Sequence, residues 1–199
     1  MAYPTVSAPY GLKPVNLIGG QVFAGSTRQF KIASGYAANI FTGDVVKIVA
    51  AGTVEKDTGT TTATPVGVFV GCSYTDPGLN IKVFKQYWPT GTVASDAVAY
   101  VVDDPDALFK VAVVSSGTTM ATLGLTAIGS NVALVQNAGS TATGDSAVAV
   151  LSGSLATTNT LPIRVVDVVP DTATGADAFA ELIVKWNFGM HQYENATGV

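Results

Sequence analysis

The chain has 199 residues, long enough for one large β-domain or two small ones around a buried core. Only 12% of the residues are charged and the net charge is −4, while 48% are hydrophobic. Thr, Ser, Gly and Ala stand where an average domain carries about twice the charge, and so few cations cannot neutralise a line of phosphates, which excludes a nucleic-acid partner.

The opening segment, "AYPTVSAPYGLKPVNLIGG", places Pro4, Pro9 and Pro14 at a spacing of five, with Tyr3 and Tyr10 between them. Proline removes backbone donors and favours extended chain. The segment therefore reads as neither helix nor ladder strand, but as an extended arm over residues 1–25 that anchors on a neighbouring molecule. Tyr3, Pro4, Tyr10 and Pro14 are its candidate anchors, since aromatic side chains bury much area with few torsions to freeze. With neither a basic start nor an apolar core, the segment does not read as a secretory signal.

Beyond it the chain reads as β nearly throughout. "RQFKI" puts Phe30 and Ile32 on one face with Gln29 and Lys31 opposite, and "PVGVFV" sets Val66, Val68 and Val70 together. Cys72, in "GVFVGCSY", is the only cysteine, which excludes an intramolecular disulfide; it reads as a small buried apolar side chain. "TDPGLN" suits a type II turn with Gly78 at its third position. "NIKVFKQYW" ends in Tyr87 and Trp88 ahead of a Pro-Thr-Gly turn, and these two are candidate contacts of the body, with a core role as the alternative.

"VAYVVDDPDALFKV" then gathers Asp103, Asp104 and Asp106 around one proline. A loop Ca²⁺ site wants six or more oxygens and a distal Glu, so the expectation is a type I turn over Asp104-Pro105-Asp106-Ala107. After Lys110 the chain changes character. Apart from tyrosine and cysteine types, Asp145 is the only ionisable residue before Arg164. Interface cores are depleted in Lys, Glu and Asp, whereas a free surface is kept soluble by interspersed charge, so this stretch reads as one that meets other protein. Within it "TMATLGLTAIGSNVALV" is the most apolar run, but Gly, Ser, Thr and Asn interrupt it and it falls short of a membrane span. The last strong strand is "FAELIVKW", with Ala180, Leu182, Val184 and Trp186 on one side and Glu181 and Lys185 on the other.

A loose internal echo runs through the chain. "FTGDVVKIVAAGT" resembles "AIGSNVALVQNAGS", "TATPVGVFV" resembles "TNTLPIRVV", and "IKVFKQYW" and "ELIVKWNF" close the two halves. The fold class is therefore all-β, a barrel or sandwich of one or two lobes, with lobe one over 26–115 and lobe two over 116–199, or one continuous β-domain.

Catalytic chemistry is missing where it should stand. His191, the only histidine, lies near the C-terminus in "NFGMHQYENATGV". One His and one Cys cannot make a four-ligand zinc site, and Glu55, Glu181 and Glu194 show no spacing that singles out an acid–base pair. Neither phosphate-cradling glycine motif occurs. The expectation is a protein that is not an enzyme and needs no cofactor or metal.

The run "TPVGVFVGCSYTDPGLNIKVFKQYWP", then "AVAYVVDDPDALFKV", and later "TLPIRVVDVV" and "LIVKWNFGMHQY" are similar to small virion proteins encoded beside the capsid gene in tailed phages of marine and cyanobacterial hosts. "TGDVVKI" followed by "GTVEK" also resembles the start of phage head-decoration β-barrels. The resemblance spans about Ala37 to Tyr193. It implies a capsid decoration, or cement, protein made in the host cytoplasm, self-associated as a homotrimer and bound to the major capsid protein on the outer surface of the virion. The resemblance offers no catalytic residues. The rival reading is a tail or head-fibre adhesin that binds host glycans through exposed aromatics.

Overall fold

The computed structural model describes residues 6–199, and its architecture is all-β, with no α-helix among the described residues. The strands are β1 (Lys13–Leu17), β2 (Arg28–Lys31), β3 (Ile40–Phe41), β4 (Val45–Ile48), β5 (Val54–Lys56) and β6 (Gly67–Thr75). Next come β7 (Lys82–Lys85), β8 (Tyr87–Trp88), β9 (Val98–Val102), β10 (Ala107–Ser116), β11 (Thr119–Met120) and β12 (Asn131–Val132). The last six are β13 (Leu134–Val135), β14 (Ala149–Leu151), β15 (Ile163–Val168), β16 (Ala173–Gly175), β17 (Ala178–Phe179) and β18 (Glu181–Trp186).

Two large sheets hold most of them. The first has the order β2-β9-β6-β4-β5, with β7 joining β6; the second has the order β12-β15-β18-β10-β14-β13, with β1 and β11 also paired to β10. Pairing is antiparallel everywhere except between β10 and β14. Two ribbons, β3-β8 and β16-β17, complete the fold.

The central strands of the first sheet, β4, β6 and β9, are covered on both faces, and their sequence says why. Val45, Val68 and Val102 stand in register across β4, β6 and β9 and face a central apolar cluster that also takes Phe109, Leu182, Val184 and Trp186 from the second sheet. Their neighbours Val46, Phe69 and Val101 face the other way, into a second cluster with Ile40, Tyr74 and Trp88. Burial of both faces replaces simple alternation with a near-continuous apolar run. The expected set Val66, Val68 and Val70 is accordingly split: Val66 belongs to the second cluster, and Val68 and Val70 face the first. Gly67 is needed here by close approach, because a Cβ would stand 2.1 Å from the Val102 carbonyl oxygen.

The carboxylate-rich turn is the corner between the sheets. β9 of the first sheet leads through residues 103–106 straight into β10 of the second. Ala107 N–H donates to the Asp104 carbonyl at 3.1 Å and Asp106 N–H to the Asp104 side chain at 2.8 Å, the bonds expected of the turn. The boundary drawn at residue 115 therefore falls inside β10, which pairs only within the second sheet. Strand-rich sequence on both sides of a proline turn does not show that the chain has changed sheets. "TDPGLN" also differs from expectation. Gly78 does not take the positive φ a type II turn requires; Asn80 does, at 55°, and the Asp76 carboxylate accepts from Gly78 and Leu79 N–H in a longer loop.

The internal echo is reproduced in part. β4 lies antiparallel beside β6 as β12 lies beside β15, but β7 shares the β4 side of β6, whereas β18 flanks β15 on the side away from β12.

A larger correction concerns the proline-rich segment. Residues 13–17 are a ladder strand: β1 pairs with β10, with Pro14 opposite Phe109 and an irregularity between Pro14 and Asn16. Proline is tolerated at an edge or bulge of a ladder, and β1 is such a strand.

One buried carboxylate joins these parts. Asp44 is fully buried and accepts from Phe41 N–H at 2.9 Å, from Ser146 Oγ–H at 2.6 Å and from the Lys56 ammonium at 2.9 Å. Breaking a buried ion pair by removing one partner costs about 3–5 kcal/mol. Asp44→Ala is expected to lower the urea-derived stability by about that amount and Ser146→Ala by about 1 kcal/mol. Equal, small losses in both variants would show that Asp44 is not a junction.

Candidate partner-binding surface

The candidate contact residues separate sharply once folded. Tyr3 and Pro4 lie outside the described residues. Tyr10 is half-buried against its own chain. Its hydroxyl donates to the Glu181 carboxylate, and its ring lies 4.6 Å from the Lys13 ammonium and 5.7 Å from that of Lys110. Burial, then the facing carboxylate, push this phenol well above its ordinary range. Tyr10 thus closes over a buried acid whose other partner is Lys110, at 3.4 Å. Pro14 is spent on pairing in β1.

Trp88 is removed from the surface. It is fully buried, donates its indole N–H to the Tyr36 carbonyl at 3.4 Å and meets Tyr74 edge-on at 5.3 Å. The alternation that places Tyr87 half outside necessarily turns its neighbour inward. Tyr87 stacks on Phe41 at 5.5 Å and lines a cleft of about 230 Å³ with Lys85, Gln86 and residues 141–144.

The three turn carboxylates diverge to separate partners. Asp103 takes Arg28 at 2.9 Å and the Tyr193 hydroxyl at 2.9 Å, Asp106 takes Lys185 at 3.1 Å, and Asp104 holds its own turn. Among the described residues no three His, Cys, Asp or Glu side chains are grouped as a metal site, and no helix is long and apolar enough to cross a membrane.

The buried histidine is structural in its contacts. His191 Nε2 stands 2.7 Å from the Val66 carbonyl and Nδ1 accepts from Tyr193 N–H at 3.2 Å, which requires the neutral ring with its proton on Nε2. Gln192 follows by exchanging two hydrogen bonds with the Ile48 backbone, so the C-terminal segment is laced to β4. Cys72 is buried, and burial pushes its thiol up to about 12.

Surface apolar groups lie elsewhere, at the β6–β7 hairpin. Leu79, Ile81 and Phe84 are exposed there, Phe84 by 73%, and Val93 shares a cleft of about 420 Å³ with Pro77 at the hairpin turn. The signal was present: Phe84 is two residues from Lys82 and so on the same strand face as a solvated ammonium. A second exposed aromatic, Phe188, follows β18 and is 83% exposed. Comparison with known proteins finds no matching family model, no matching curated protein and no matching solved structure.

Two outcomes check this description. Burial lowers the His191 pKa from 6.5, so on acidification the unfolded chain takes up a proton before the folded one. Stability is then full above about pH 6.5 and falls as pH drops below it, a slope that His191→Gln should reduce in urea titrations. Cys72 should resist iodoacetamide at about pH 8 in the native protein and react on unfolding, as mass spectrometry will read; rapid native alkylation contradicts its burial.

Proposed function

We propose that the chain is a non-enzymatic virion structural protein that binds the outside of a phage capsid and stabilises contacts between major capsid protein subunits, acting as a homotrimer. The observation that carries the reading is the distribution of charge. Residues 111–163 contain one acid, Asp145, and no base, although their loops include many exposed Ser and Thr side chains. A neutral polar surface of this kind can dock without desolvating charged pairs, which is the costly part of burying polar surface.

The mechanism is mechanical. A filled head resists outward pressure, and a protein that bridges neighbouring subunits raises the free energy of pulling them apart. Weak single contacts suffice when many identical sites act together. The β-rich body supports this use: a pinned Tyr10, a laced C-terminal segment and a buried Asp44 junction leave few large elements free to yield. The arm, as a contact, narrows to the residues before the buried Pro9.

The test is binding of the purified protein to expanded heads that lack it, counted by densitometry against the major capsid protein. A saturating integral ratio with greater heat resistance is expected. Deleting residues 1–7 should weaken binding and leave the melting curve of the free protein intact, whereas deleting 1–20 removes β1 and should unfold it. Absence of binding, with affinity for host-surface glycans instead, would move the protein to the adhesin class through Phe84 and Phe188.

A further inference from the structure

The cleft at the end of β18 contains an arginine that is held firmly and left without a counter-ion. Arg164 and Lys185 stand opposite each other on β15 and β18, and with Trp186, Asn187, Phe188 and Glu194 they line a cleft of about 220 Å³. Arg164 donates from Nε to the Asn131 side-chain oxygen and from Nη2 to the Asn187 side-chain oxygen, at 3.1 Å for the second bond.

Both asparagines are buried and are themselves fixed. Asn131 Nδ2 donates to the Thr158 carbonyl at 2.9 Å, and Asn187 Nδ2 donates to the Asn159 and Leu161 carbonyls, each at 3.0 Å. The guanidinium is therefore oriented by neutral oxygens, which fix its plane without cancelling its charge. Among the described residues Nη1 has no partner, so the edge formed by Nη1 and the second Nη2 proton is free for a bidentate acceptor. Lys185, by contrast, is bonded to Asp106. Trp186 borders the cleft, but its indole is turned to the opposite face, into the central cluster beside Phe109, so the donors of the cleft are those of Arg164.

We propose that this cleft binds a carboxylate, namely an acidic side chain of a protein partner. One planar guanidinium edge matches one carboxylate. Glu194 lines the same cleft and opposes any anion, but the single positive charge of Arg164, with Lys185 already paired, balances one carboxylate charge and not the two of a dianionic phosphate. The volume admits a side chain but falls below that of ordinary small-ligand pockets, about 300 Å³ and upward. Phe188, 83% exposed on the rim, supplies apolar area that a residue beside the acid would cover and that a free small anion would not. The site is independent of the capsid reading and holds whichever protein supplies the acid.

The experiment follows the Arg164 Nε–H resonance and the backbone N–H resonances of Asn187 and Phe188 by ¹H–¹⁵N NMR while N-acetyl-Phe-Glu-amide is added to the full chain. Saturable shifts of these resonances are expected, with N-acetyl-Phe-Gln-amide weaker by about tenfold, the difference between a charged and a neutral acceptor. Arg164→Lys, which keeps the charge but loses the fork, should weaken the Phe-Glu probe by about tenfold with the backbone spectrum unchanged. If that variant misfolds, the comparison of the two dipeptides on the native protein decides alone. Equal binding of the Gln probe overturns carboxylate recognition. Glutarate or inorganic phosphate binding as tightly as the dipeptide overturns the assignment to a partner side chain, and no shift with any probe overturns the site.

Discussion

The fold turns on a carboxylate removed from water. Asp44 sits where the β3–β4 connection, β5 and the segment before β14 meet, and its oxygens are divided among a backbone N–H, a hydroxyl and an ammonium from those three places. An unpaired charge at such a site would be prohibitive, and a paired one is tolerable only when every lone pair is engaged. The requirement fixes the surrounding chain. Leu12 N–H donates to the Gly43 carbonyl at 3.0 Å, Gly43 N–H to Phe69, and Val148 N–H to Ser146 Oγ, so β1, β6 and the approach to β14 are tied within a few residues of one acid. Apolar burial supplies most of the stability of such a protein, but it is non-directional. The hydrogen-bonded acid specifies which surfaces are brought together.

A second pinned acid governs the N-terminal segment. Glu181 lies on the face of the second sheet away from the central cluster, where a lone carboxylate under cover would be costly. Tyr10 and Lys110 complete its shell, and the tyrosine ring is held over two ammonium groups. Of the candidate anchors in the proline-rich segment, Tyr10 and Pro14 are consequently part of the body.

Charge is distributed in a way that matters for function. Most of the recorded ion pairs link strand ends or the corner between the sheets, as Arg28–Asp103 and Lys185–Asp106 do, while residues 111–163 are almost bare of ionisable groups. One exposed phenylalanine, Phe84, lies in β7 of the first sheet, and another, Phe188, just beyond β18 of the second. Neutral surface, apolar hairpin and unpaired arginine are three distinct surface features of one chain.

The sequence by itself determined the class of the fold and the alternation of its main strands. Ala180, Leu182, Val184 and Trp186 are inward, and the Asp104-Pro105 turn forms with its expected bonds, because strand periodicity and turn chemistry are local properties. Tertiary structure decided what depends on residues far apart. It placed β10 in the second sheet, paired Pro14 into a ladder, buried Trp88 and brought Asn131, Arg164 and Asn187 to one cleft. No spacing encodes those meetings: a strand written with period two states which face is apolar, and only packing against other strands states what covers it.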